Sequence, residues 1–183
     1  MKKKILTTLA LIMCAVLLTV GTTLAWLTAQ TPSIENEFTV GNINIHLNET
    51  TGNEYKLIPG ADTAKDPKVT VDPQSEACYL YIKVEKSANL DDFIEYSLDG
   101  WTALDGVNDV YYREVAAEDA ANGIEYPVLT GNKVTAKTTI TKEMVDDLTD
   151  STLPTMTFTA YAVQSVGFDN AAAAWSATFG ASN

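Results

Sequence analysis

The sequence predicts an all-β protein, an antiparallel jelly-roll-like β-sandwich with one or two short helices. Three observations indicate this fold. Segments in which apolar and polar residues alternate recur along most of the chain, with the two-residue period of β-strands. Turn-forming pairs such as Pro59-Gly60 and Asp99-Gly100 separate these segments. A helical period occurs only in two short stretches near the end of the chain.

The composition limits the classes of function. The 183 residues include 12 basic and 24 acidic side chains, which give a formal net charge of −12. Such an acidic chain repels the phosphate backbone, so we expect no nucleic-acid partner. There is one histidine, His46, and there are two cysteines, Cys14 and Cys78. The common zinc motifs need more of these residues, and we predict neither a metal site nor another cofactor.

The first 25 residues have the pattern of a secretory signal peptide. Three lysines precede an apolar run over residues 5–20. Thr23 and Ala25 then place small side chains at the −3 and −1 positions of a cleavage site before Trp26. We therefore predict that residues 1–25 are removed. The alternative is a permanent membrane anchor, since a run of about 16 apolar residues nearly spans a bilayer.

Cleavage would leave an extended N-terminal segment, residues 26–35, and a single β-sandwich domain, residues 36–183. The mature charge would be −15, because three of the 12 basic residues leave with the leader and all 24 acidic residues stay. Cys78 would be the only remaining cysteine, so no intrachain disulfide could form. At this size the hydrophobic core alone can stabilise the fold.

The first predicted strand covers residues 38–47. Its apolar phase changes at Gly41, as a β-bulge would produce. The new phase places His46 on the polar face, where we expect a solvated side chain. The next strand lies within residues 66–73 and is bracketed by prolines, which suits a sheet edge or the ends of a strand.

The clearest strand follows at residues 78–85. Its inward face begins with Cys78, which we expect to pack as a buried thiol. Tyr79 and Tyr81 lie on the outward face. An exposed aromatic row of this kind could stack on sugars or bind another protein. We favour a cover by the C-terminal helix, because Trp175 and the alanines before it need a surface on which to pack.

A β-hairpin is predicted where Asp99-Gly100 joins residues 93–98 to residues 101–104. The loop at residues 105–109 is rich in oxygen ligands, but it lacks the EF-hand spacing, and we interpret it as a turn. The further predicted strands cover residues 110–115, 126–129, 134–140 and 155–165.

Two short helices complete the prediction. The first lies within residues 141–150, where Thr141 can cap the N-terminus. The second runs through residues 171–175, and Asp169 can cap it. No internal repeat or low-complexity linker interrupts this order of elements, which favours one domain.

Several segments carry a pattern that extends beyond secondary structure. The cleavage junction has the letters GTTLAWLT at residues 21–28, and residues 36–45 fit the pattern N-x-F-x-x-G-x-[IVL]. Weaker matches are IPG followed by KDP at residues 58–67, FTAYAVQ at residues 158–164 and AAAAW at residues 171–175. In these features the chain resembles the TasA/camelysin family of exported Gram-positive surface proteins.

The resemblance implies a jelly-roll subunit secreted to the cell surface or biofilm matrix, with its leader removed by a signal peptidase of the SipW type. In TasA-like fibres the N-terminal segment of one subunit completes the sheet of the next. Trp26, Leu27 and Ile34 would be the apolar anchors of that segment here. We therefore predict a fibre subunit that assembles with copies of itself, with an accessory fibre protein left open.

Two other functions stay open on the same fold. A surface adhesin or ligand-binding module would use the tyrosines of residues 79–81. A camelysin-like metallopeptidase is suggested only by the resemblance, and a single histidine cannot form a two-histidine zinc site. A nucleophilic Cys78 would need a histidine partner, and His46 is predicted to lie on another strand. We predict no catalytic residues and no enzymatic activity.

Overall fold

The computed structural model describes residues 41–52 and 55–180, all within one compact unit, Val40–Asn183. The predicted signal peptide, the segment at residues 26–35 and the start of the first predicted strand lie outside the described residues. The same holds for the predicted cleavage and anchor residues Thr23, Ala25, Trp26, Leu27 and Ile34.

Within the described residues the protein is mostly β-sheet, which confirms the all-β prediction. The strands are β1 (Ile45–Asn48), β2 (Asp62–Ala64), β3 (Lys68–Val71), β4 (Cys78–Lys86), β5 (Ile94–Glu95), β6 (Thr102–Ala103), β7 (Val110–Val115), β8 (Ile124–Pro127), β9 (Lys133–Ala136) and β10 (Met156–Gln164). The helices are α1 (Leu90–Phe93), α2 (Ala117–Asn122), α3 (Lys142–Asp146) and α4 (Ala171–Phe179). None of the described helices is long and apolar enough to cross a membrane.

The strands form three sheets, and every pairing is antiparallel. Sheet A has the order β1-β3-β8, sheet B the order β2-β9-β5 and sheet C the order β10-β4-β7-β6. β4 occupies an inner position of sheet C and pairs along its whole length with β10. On its other side it pairs with β7 over residues 78–83. The strand with the clearest alternation in the sequence is therefore the centre of the largest sheet.

The main core lies between sheet A and one face of sheet C. β4 contributes an alternating row of buried side chains from Cys78 to Val84, and β3 contributes Val69 and Val71. The apolar side chains that alternate along β10 pack against the same cluster. The Cys78 thiol is fully buried, and burial raises its pKa to about 11. Cys78 is thus a core residue, as its inward phase predicts.

The opposite face of sheet C is covered by α4. The Tyr81 hydroxyl donates a hydrogen bond to the Ala171 carbonyl oxygen at 2.8 Å. The centroid of the Tyr81 ring lies 5.0 Å from that of the Trp175 ring. Tyr79 belongs to the same buried cluster. The prediction that the C-terminal helix covers these tyrosines is confirmed, and sheet C has one layer on each face.

The predicted hairpin at Asp99-Gly100 is wrong. Phe93 ends α1, β5 pairs with β9, and β6 pairs with β7. The two sides of the turn pair with distant segments and not with each other, and Leu98 forms a β-bridge with Leu129. Gly100 keeps its turn conformation, with φ of 66°.

Arg113, the only arginine of the chain, holds this turn. Its guanidinium donates to the carbonyl oxygens of Asp99 at 2.9 Å and Gly100 at 3.2 Å. It also stacks against Trp101 and Tyr126, at 5.0 and 4.3 Å from the ring centroids. These contacts fix the turn against strand β7 and the edge strand β8. The Asp99-Gly100 turn is therefore stabilised by long-range contacts and not by pairing of the two segments that flank it.

Other local predictions are partly corrected. The predicted cap Thr141 is confirmed, because its Oγ1 accepts the Met144 N–H at 3.3 Å. α4 is capped by Asn170 rather than by Asp169, through the Ala173 N–H at 2.9 Å. β3 lies inside sheet A, so its flanking prolines mark strand ends and not an edge. The loop at residues 105–109 connects β6 to β7, as the turn interpretation predicts.

Replacing Trp175 by alanine tests the two-layer cover of sheet C. The Trp175 ring contacts the rings of Tyr81, Tyr161 and Phe179, so Trp175→Ala should lower the free energy of unfolding by about 3–5 kcal/mol. The measurement is chemical denaturation followed by far-UV circular dichroism. Val166 is 75% exposed and serves as the control, since Val166→Ala should change stability by less than about 0.5 kcal/mol. Equal losses for both variants would show that α4 does not stabilise the sheet.

Candidate functional site

The outer edge of β10 is the most unusual surface of the fold. Its nine residues, with the letters MTFTAYAVQ, include no charged side chain and no proline. β4 pairs with one side of β10, and no strand among the described residues pairs with the other side. An unpaired strand of this length presents a row of backbone donors and acceptors to which a further strand can bind.

The register shows which backbone groups face outward. Just beyond the two ends of β10, the Ser165 N–H donates to the Ala77 carbonyl oxygen and the Ser87 N–H donates to the Thr155 carbonyl oxygen, each at 3.0 Å. Both pairs fit the register of β10 with β4, so odd-numbered residues direct their backbone groups toward β4. The even-numbered residues direct theirs to the open edge: Met156, Phe158, Ala160, Ala162 and Gln164.

The other edge strands of the described residues are short or carry protective side chains. β5 and β6 have two residues each, and β2 has three. β8 contains Glu125 and ends at Pro127, and β1 has four residues including His46. Short length, charge and proline are the usual features that prevent an edge from pairing with another chain. β10 has none of the three.

A groove of about 830 Å³ opens beside the start of β10, and we call it the edge groove. Leu47 and the end of β1 form one side, and Met156 and Phe158 of β10 form another. Residues 55–57 and the inner side chains of sheet B complete a largely apolar lining. The edge groove therefore offers pockets for apolar side chains next to the open backbone of β10.

A partly buried ion pair lies in the wall of the edge groove. Lys65 Nζ donates to both carboxylate oxygens of Glu49, at 2.8 and 3.0 Å, and the Lys65 side chain is only 10% exposed. The ammonium group also lies 5.1 Å from the ring centroid of Tyr55 and 5.7 Å from that of Phe158. Burial alone would raise the pKa of Glu49, but hydrogen bonds from Lys65 and Tyr55 outweigh it and lower that pKa.

Comparison with protein-family models, curated proteins and solved structures gives no match for this chain.

The side chains considered for catalysis or ligand binding are not brought together. His46 is exposed in sheet A, and its Nε2 lies 2.8 Å from Asp72 Oδ2. Cys78 is buried in sheet C. Tyr79 and Tyr81 lie under α4, so the exposed aromatic row of the adhesin interpretation is not present. Over residues 41–52 and 55–180, no three His, Cys, Asp or Glu side chains are grouped to hold a metal ion.

The edge groove and its ion pair were missed by the sequence analysis. The alternation of residues 155–165 predicted the strand, and its lack of charge was the available signal for an open edge. Lys65 and Glu49 lie 16 residues apart in the sequence, each in an irregular segment. Lysine and glutamate are both common residue types on protein surfaces. No local pattern distinguishes a partly buried pair of this kind from two solvated side chains.

Asp66 anchors the loop that follows β1, next to the edge groove. Its carboxylate accepts hydrogen bonds from the Thr50 hydroxyl at 2.6 Å, the Thr50 N–H at 2.8 Å and the Thr51 N–H at 3.0 Å. These bonds, with that of the Thr50 hydroxyl the largest contribution, lower the pKa of Asp66 to about 2. The ionised carboxylate is therefore the form that holds the loop.

We expect this anchor to make stability depend on pH in a defined window. A lowered pKa stabilises the fold above the ordinary Asp value, here 3.8, and this contribution disappears as the pH falls toward about 2. Asp66→Asn should lower the melting temperature at pH 7, and its difference from wild type should vanish between about pH 4 and pH 2. Thermal melts at several pH values measure this, with Asp150→Asn as an exposed control. A difference that stays constant down to pH 2 would contradict the role of the charge.

Proposed function

We propose that this protein is a secreted structural subunit of a cell-surface or biofilm-matrix fibre. It assembles head to tail, and the N-terminal segment of one copy adds as a β-strand to the sheet of the next. The observation that carries the proposal is the nine-residue, charge-free open edge of β10. Sheets A and C, packed face to face, are compatible with the jelly-roll sandwich that we propose for the subunit.

Strand addition explains how such an edge gives both affinity and register. Five residues of β10 direct backbone groups outward, and an added strand can pair with them over their whole span. Main-chain hydrogen bonds supply affinity, while alternate side chains of the added strand enter pockets such as the edge groove. A contact between two different surfaces of identical subunits grows a filament when the rotation from one subunit to the next does not close a ring, and we propose this open arrangement here.

The added strand in this proposal comes from residues 26–35. Trp26, Leu27 and Ile34 are its apolar anchors, and Glu35 is its only charged residue. Before export is complete, the leader at residues 1–25 tethers this end in the membrane. A signal peptidase of the SipW type then cuts between Ala25 and Trp26 and frees the segment for assembly.

The resemblance to the TasA/camelysin family supports the same proposal. It favours a fibre on the surface or in the matrix of a Gram-positive bacterium, with copies of the chain as partners and room for an accessory fibre protein. The proposed role is structural and involves no catalysis.

Removing the donor segment should abolish assembly and leave the fold intact. We expect the chain that begins at Trp26 to form filaments and the chain that begins at Asn36 to stay a folded monomer. Electron microscopy and size-exclusion chromatography measure the two forms, and circular dichroism confirms their folding. If both chains remain monomers under all conditions, the fibre function is wrong.

Blocking the acceptor edge should have the same effect from the other side. Ala160 directs its N–H outward, so Ala160→Pro removes a donor from the open edge without removing a bond to β4. We expect Ala160→Pro to stay folded and to lose filaments. Ala160→Val enlarges the side chain by a similar volume but keeps the N–H, and it should still assemble. Normal filaments of a folded Ala160→Pro protein would exclude β10 as the acceptor.

A further inference from the structure

The ratio of basic to acidic side chains in the lining of the edge groove differs from that of the whole chain. Among the residues that the structure describes, its charged lining residues are two lysines, Lys56 and Lys65, and one acid, Glu49. The chain as a whole has a formal net charge of −12. A local excess of positive charge in an acidic protein favours an occupant that carries negative charge.

Lys65 is the side chain best placed to recognise such a charge. Its ammonium group has three N–H donors, and Glu49 accepts from it at two oxygens. Its remaining neighbours within the described part of the chain include the rings of Tyr55 and Phe158. A largely buried cation beside apolar surface interacts more strongly with a carboxylate than an exposed one, because little water screens the pair.

Residues 26–40 supply the matching occupant. Their only charged side chains are Glu35 and Glu37, and the rest of the segment is apolar or neutral. Fully extended, 15 residues reach about 50 Å. This is longer than β10, so one segment can pair along the edge and also enter the edge groove.

The occupant comes from a second copy because of where this segment leaves the fold. The Glu76 N–H donates to the Asn42 carbonyl oxygen, so the chain enters sheet A next to the start of β4 and the end of β10. The edge groove lies at the opposite end of β10, beside Met156. The described chain therefore begins at the end of β10 opposite the edge groove, which favours a second copy as the source of the occupant.

We propose that Lys65 recognises a carboxylate of the incoming segment, Glu35 or Glu37 of a second copy, and that Glu49 occupies this position until the exchange. The inference rests on the proposed fibre function and names the residue that selects the donor strand. The exchange replaces one carboxylate by another at the same ammonium group. Glu49, whose side chain is 25% exposed, can turn to solvent when it is displaced.

The test compares two donor sequences in two acceptor backgrounds, all in the chain that begins at Trp26. The donor change is Glu35→Gln with Glu37→Gln. The second background combines Lys65→Met with Glu49→Gln, which replaces the ion pair by neutral side chains of similar length. The critical concentration for filaments is measured by sedimentation, and thermal melts confirm that each variant folds.

With Lys65 and Glu49 present, the donor change should raise the critical concentration roughly tenfold or more, as expected for the loss of a charge-assisted contact. In the neutral background the same donor change should have an effect of less than about threefold, because the two changes are coupled. Glu49→Gln alone should lower the critical concentration, since it weakens the internal competitor. A donor effect of equal size in both backgrounds, or none in either, would overturn the role of Lys65.

The outcomes also separate this inference from the fibre function. Filaments of all four chains with equal critical concentrations would leave the fibre intact and reject recognition by Lys65. A wild-type chain that stays monomeric would reject the fibre itself. If that monomer shows the coupling in its melting temperature, the segment fills its own edge groove, and the second copy is the wrong occupant.

Discussion

The fold depends on the burial of β4 on both faces. One face of this strand forms the core with sheet A, and the other lies under α4 through Tyr81. A strand covered on both sides needs apolar or aromatic side chains at nearly every position, and residues 78–82 meet this requirement. The two layers could not both pack on sheet C without it. Sheet A, sheet C and the C-terminal helix are thus held together by one nine-residue strand.

The same constraint reaches β10 and explains why its edge lacks protection. The even-numbered side chains of β10 pack against the main core, and Tyr161 and Val163 pack toward α4. Packing on both faces removes charged side chains from the strand, and charged side chains are what usually keeps an edge from pairing. Within the described residues, the stability of the two layers and the unpaired edge of β10 therefore have one cause. Among the described residues this edge has no partner strand, and a strand from another copy is a partner of matching chemistry.

Local patterns predicted the elements whose partners lie on regular strands. The alternation predicted β7 with its observed limits, and it predicted β10 to within one residue at each end. The hairpin at Asp99-Gly100 failed because Arg113 and the bridge from Leu98 to Leu129 are long-range contacts that no turn signal contains. The candidate site could not be predicted from the sequence for the same reason. Lys65 and Glu49 meet only when β1 pairs with β3 in sheet A, and their sequence neighbourhoods resemble any solvated loop.

Two adjacent residues have different roles in the edge groove. Asp66 fixes the loop in its wall, and Lys65 forms an ion pair that we propose to be exchangeable. Asp66 holds Thr50 and Thr51 through three hydrogen bonds to its carboxylate, and Pro67 ties this stretch to β8 by accepting the Val128 N–H at 2.9 Å. These bonds hold the loop independently of the contact between Lys65 and Glu49. Lys65 differs from Asp66 because its partner is a single side chain, and a single carboxylate can be replaced by another of the same charge. A preformed wall lowers the cost of ordering the groove during binding, so the affinity of an incoming strand depends on its own sequence.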